Sequence, residues 1–197
     1  MKQEERQLLL QDLAARVPYG LKGQCEFETE TDNEFWSETN RFNLDVNLEK
    51  ISTYGKIRVK YFFDDTIDKE SEEGEKQLNL FDFVENYQDY ADDEIDIEDF
   101  KPYLRPISSM SWDEIYSVAG IVIPGLPHNI DETKGTCSVC CHNYTDEIEQ
   151  DFSVQDLANG IYGIEGLDWL NEHHFDYRGL IKKGLALEAP EFMYTKN

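Results

Sequence analysis

Arg41–Phe62 reads RFNLDVNLEKISTYGKIRVKYF, and its hydropathy changes sign at nearly every residue. Phe42, Leu44, Val46 and Leu48 alternate with Asn43, Asp45, Asn47 and Glu49. After Ser52–Gly55, Ile57, Val59 and Tyr61 alternate with Lys56, Arg58 and Lys60. A period of two places the apolar side chains on one face of an extended chain and the polar ones on the other. That is the signature of antiparallel strands with one wet face. The short polar stretch Ser52–Gly55 between the two runs predicts a hairpin turn. The wet face of the first run is acidic and that of the second basic, so pairing them should set opposite charges across from each other. Just upstream, Leu21, Gly23, Cys25 and Phe27 alternate with Lys22, Gln24, Glu26 and Glu28, which makes a third strand.

Before the strands, residues 2–16 predict an amphipathic helix. Leu9, Leu13 and Val17 recur at i, i+4 and i+8 with Leu10 and Ala14 beside them, and the Glu4, Glu5 and Arg6 side faces water. Pro18 and Gly20 end it. Beyond Phe63 come a polar loop (Asp64–Gly74), an apolar run of undecided state (Leu78–Val84), and Asp89–Asp99, where seven of eleven residues are acids. Pro102 and Pro106 bracket an extended segment. Ser111 with Glu114 is a capping box, and Met110 with Ile115 its hydrophobic staple, so a helix should start there and stop at Gly120. Pro124–Gln150 reads as irregular. Ser153 caps a short helix closed by Gly160, and a further helix spans Ile164–His173, presenting Ile164, Leu167 and Leu170 with Trp169 nearby. Asp176 as N-cap and Gly184 as the C′ residue predict a short helix over Tyr177–Lys183, with Leu180 and Leu185 as the pair that meet in a Schellman motif.

The expected fold is therefore α+β: a small antiparallel sheet (a meander), an N-terminal helix and a mostly helical C-terminal half. It is read as a single domain, 1–197, made of 1–63 (helix plus meander), 64–106 (acidic insert) and 107–197 (mainly helical).

Composition narrows the function. A chain with 42 acids against 18 bases carries a formal net charge of −24, which disfavours direct binding to nucleic acid or an anionic membrane. It suits a partner with a basic surface. A solvated, solubilising face accounts for the same charge without any partner. The longest apolar run, Ala119–Leu126, is broken by Gly120, Pro124 and Gly125, and the leucines at the start do not read as a signal peptide. Four cysteines, two of them adjacent, do not form a secreted disulfide framework, so a cytoplasmic protein with reduced thiols is expected.

Three clusters can carry chemistry. Cys137, Cys140, Cys141 and His142, with His128 upstream, offer thiolates at C-x-x-C spacing and imidazoles for tetrahedral zinc, although no second ligand pair follows. His173, His174, Asp176, Tyr177 and Arg178 put histidine beside an acid and a cation, the residue types of acid–base catalysis; Asp176, however, already serves as a cap. The acids Asp89, Asp92, Asp93, Glu94, Asp96, Glu98 and Asp99 form a candidate partner-binding tract. Neither this tract nor Asp64–Glu75 has the glycine of a calcium-binding EF-hand loop.

DWLNEHHFDYRGLIKKGLALEAP (Asp168–Pro190), with LLLQDLAARVPYGLKGQ (Leu8–Gln24) and DFKPYLRPISSMS (Asp99–Ser111), resembles a group of uncharacterised proteins encoded by phages and prophages of anaerobic gut bacteria. The resemblance implies a mobile-element setting in a bacterial cytoplasm. The functional expectation is a non-enzymatic acidic binding protein that inhibits a basic, nucleic-acid-handling host protein by polyanion mimicry. The alternatives are a zinc-supported module built on Cys137, Cys140 and His142, and an enzyme centred on His173–Arg178. No cofactor other than that zinc is expected.

Overall fold

The computed structural model describes residues 1–33, 36–52, 55–61, 70, 95–123, 126–131, 136–142, 147–153, 156–157, 160 and 163–194. It has an α+β fold and divides into two compact units, Met1–Tyr103 and Leu104–Asn197.

In the first unit, helix α1 (Gln3–Arg16) precedes strands β1 (Lys22–Asn33), β2 (Trp36–Ile51), β3 (Lys56–Tyr61), β4 (Ile95–Asp96) and β5 (Phe100–Leu104). The strands are ordered β4-β3-β2-β1-β5, every pairing antiparallel. The alternation holds where it was strongest: Leu21, Gly23, Cys25, Val46, Leu48, Ile57 and Val59 are all buried. Gly23 has a specific reason. A Cβ there would collide with the ring of Phe100, which lies across β1 where β5 pairs with it. The β2–β3 turn is closed by the Ser52 N–H on the Lys56 carbonyl (2.7 Å) and by Gly55 at φ +75.

Three details depart from expectation. The β1–β2 hairpin is far longer than the alternation suggested, with an unbroken register from Lys22↔Asn47 to Asn33↔Trp36. The charge pairing between β2 and β3 does not form as expected, because an irregularity between Leu48 and Lys50 skips Glu49 and sets Lys50 opposite Arg58. The buried stripe of α1 is Leu9, Asp12, Leu13 and Arg16, rather than an apolar row reaching Val17. Asp12 and Arg16 are fully buried and joined by two hydrogen bonds, Nε to Oδ2 at 2.8 Å and Nη2 to Oδ1 at 3.1 Å. The two charges cancel, and that lets them occupy core positions.

In the second unit, helix α2 (Trp112–Val122) is followed by a three-stranded antiparallel sheet, β6 (Leu126–Asp131), β7 (Thr136–His142) and β8 (Glu147–Ser153), with β7 central. Helix α3 (Gly163–Glu172) and the short β9 (Leu187–Glu188) complete it. The sheet corrects the expectation of an irregular 124–150 in a mainly helical half. The capping box forms as predicted: the Ser111 N–H donates to Glu114 Oε2 (2.8 Å), and Ser111 Oγ accepts from the Glu114 N–H (3.3 Å). Helix α2 runs through Gly120 to Val122 instead of stopping there. Its Ile115, Val118 and Ala119 join Met110, Cys137, Val139, Phe152, Leu157, Leu170 and Phe175 in one buried cluster. Ile164, expected on the apolar face of α3, is instead 88% exposed.

Two Schellman motifs shape the chain after α3. In the first, the Phe175 N–H donates to the Leu170 carbonyl (3.0 Å) and the His174 N–H to that of Asn171 (3.1 Å). His174 is the C′ residue at φ +58, left-handed like the glycine it replaces. In the second, the Leu185 N–H donates to Leu180 and the Gly184 N–H to Ile181, each at 3.0 Å, with Gly184 at φ +72. The bonds predicted for that motif are present, yet Tyr177–Lys183 is a run of turns and not a helix. Gly179 at φ +66 interrupts it. Asp176 still caps, accepting from the amides of Leu180 (2.8 Å) and Ile181 (2.9 Å) beyond that break.

Candidate partner-binding surface

The acidic surface is best built from β1. Lys22, Gln24, Glu26, Glu28, Glu30 and Asp32 occupy alternate positions of one strand, so they share one face of the β1–β2 ribbon. Cys25, which is buried, belongs to the other face. In register across from the acidic positions lie Asp45 (opposite Gln24), Asn43, Arg41, Thr39 and Ser37. Four carboxylate-bearing positions thus line up along one strand, about 6.6 Å apart at the usual rise per residue. One of them, Glu28, is in register with Arg41. The alternation legible in the sequence ends at Glu28, because Thr29–Asn33 has no apolar residue to mark a period. The threonines alternating with acids were the available signal.

The tract singled out by composition fares differently. Asp89, Asp92, Asp93 and Glu94 lie outside the described residues. Asp96 pairs with Lys56 (3.2 Å) and Arg6 (3.5 Å), while Glu98 pairs with Arg6 Nε (3.5 Å) and the N-terminal amine (3.4 Å). These carboxylates fasten the start of α1 and of β3 to the turn before β5. Burial works to raise the Asp96 carboxyl, but the hydrogen bond and charge of Lys56, then Arg6, hold it below the ordinary value. Asp99 goes the other way: burial, then the charges of Asp96, Glu26 and Glu98, push it up. Burial, followed by the charges of Asp99 and Glu26, lifts the Cys25 thiol to about 12. So Glu26 and Asp99 share one negative field.

The cysteine loop is a strand. Cys137, Cys140, Cys141 and His142 all lie on β7, and His128 lies on the neighbouring β6. The side chains of His128, Cys140, Cys141 and His142 lie outside the described ones. Cys137 is fully buried in the hydrophobic cluster beside Val139 and Phe152, and burial raises its thiol. That favours the neutral thiol over the metal-binding thiolate. Among the described residues, no group of three His, Cys, Asp or Glu side chains is placed to hold a metal ion.

The histidine cluster is occupied by packing and capping. His173 stacks on Trp169 (centroids 4.0 Å apart), with its Nδ1 2.9 Å from the Trp169 carbonyl. His174 is buried, ends α3, and stacks on Tyr194 (3.9 Å). Both Asp176 oxygens accept from backbone amides. The Tyr177 hydroxyl donates to Asn171 Oδ1 (2.9 Å) and accepts from Arg178 Nε (3.0 Å).

No protein-family model matches the chain, and no curated protein or solved structure is significantly similar to it. Among the described residues, no helix is long and apolar enough to cross a membrane.

Proposed function

We propose that this chain is a non-enzymatic binding protein that engages a basic macromolecular partner through the acidic face of the β1–β2 ribbon. What supports the reading is that Glu26, Glu28, Glu30 and Asp32 hold alternate positions of β1 in a molecule of net charge −24. The partner class that fits best is a protein whose own groove binds nucleic acid, in the cytoplasm of a bacterial cell. The resemblance to phage and prophage proteins supports that setting.

Magnitude limits the mimicry. One charge per roughly 6.6 Å is about half the density of a single DNA strand, which carries one per ~3.4 Å of axis. The ribbon alone is a weak polyanion. It therefore relies on the rest of the acidic surplus to steer a cationic surface.

The test is capture from lysate on immobilised protein, at low and at high salt, followed by competition with DNA. A basic nucleic-acid-binding protein should be retained at low salt and displaced by DNA. Glu26→Gln, Glu28→Gln, Glu30→Gln and Asp32→Asn combined should abolish retention. Retention that survives those four substitutions, or the absence of any basic partner at either salt, would remove the proposal.

A further inference from the structure

We draw no further inference here: the strongest candidate, the edge of β1 that runs on past its pairing with β5 at Gly23–Cys25, belongs to the acidic ribbon already described, and nothing among the described residues shows what covers it.

Discussion

Removing the carboxylate of Asp12 should damage this protein about as much as truncating a buried leucine damages a typical core. Asp12 and Arg16 have no exposed side-chain surface, and two hydrogen bonds join them one helical turn apart. Asp12→Ala leaves a guanidinium buried without its counter-ion, a change that costs about 3–5 kcal/mol. For a chain of this length, each kcal/mol moves the midpoint about 2–4 °C, so a fall of about 6–20 °C is expected. Replacing both partners, Asp12→Leu with Arg16→Met, removes the charge altogether. It should recover most of the loss and can even exceed the wild type, since well-packed apolar pairs often match or outdo buried ion pairs.

The assay is denaturant unfolding by far-ultraviolet circular dichroism, with hydrogen exchange on the α1 peptides to follow the first unit by itself. Two compact units need not melt together, so the exchange data decide which transition carries the loss. A single mutant costing under about 1 kcal/mol would refute the reasoning, because the guanidinium would then be reaching water. So would a double mutant no better than the single, which would mean the pair is held by shape and not by charge.

Two further outcomes test the structure. Gly23→Val should cost about 1–3 kcal/mol, as overpacking does, because the Phe100 ring occupies the space a side chain would need; chemical denaturation checks it. The third prediction is one of opposite signs. Burial tends to raise the Glu114 carboxyl, but the Arg105 hydrogen bond, the Ser111 backbone and the Arg105 charge hold it below its ordinary value. Its ionised form therefore stabilises the fold above the normal carboxylate range, and that contribution fades as pH falls through the lowered value. Glu114→Gln should be less stable than wild type at neutral pH and converge with it in acid. Asp99 is raised, so its ionisation opposes folding above the ordinary carboxylate range. Asp99→Asn should be more stable at neutral pH and lose that advantage on acidification. Stability curves at a series of pH values read both.

The sheet of the first unit was legible because hydropathy alternates from Phe42 to Tyr61, and the α2 capping box because four residues, Ser111 to Glu114, suffice to build it. The Schellman pair Leu180/Leu185 was legible for the same local reason. What failed shares a cause. Asp12 and Arg16 look like surface residues one at a time, and only their mutual cancellation makes them core. The strand at Thr136–His142 has apolar residues at 137, 139, 140 and 141, which breaks the period of two, and its cysteines suggested a metal before they suggested packing. His174 terminates a helix where glycine is usual, so its place beside Asp176 invited a chemical reading of a conformational residue. The acidic ribbon was missed because both of its faces are polar beyond Phe27, and a pattern method built on apolar residues is silent there.

That ribbon carries a consequence that separates its electrostatics from mere solubility. At about 6.6 Å in water, two carboxylates repel by roughly 0.6 kcal/mol before screening. Positions 26, 28, 30 and 32 give three such neighbouring pairs, so carboxylates held at that spacing would oppose the strand by about 2 kcal/mol at low ionic strength. The spacing is shorter than the screening length of about 8 Å at physiological salt, so the repulsion is reduced there without vanishing. Added salt should therefore slow hydrogen exchange in β1 while it loosens a basic partner, two effects of opposite sign from one set of charges. A partner that neutralises the row should protect β1 as salt does, and further. If exchange in β1 is indifferent both to salt and to a bound basic peptide, the four carboxylates do not act as a row, and the ribbon is only a solvated edge of the fold.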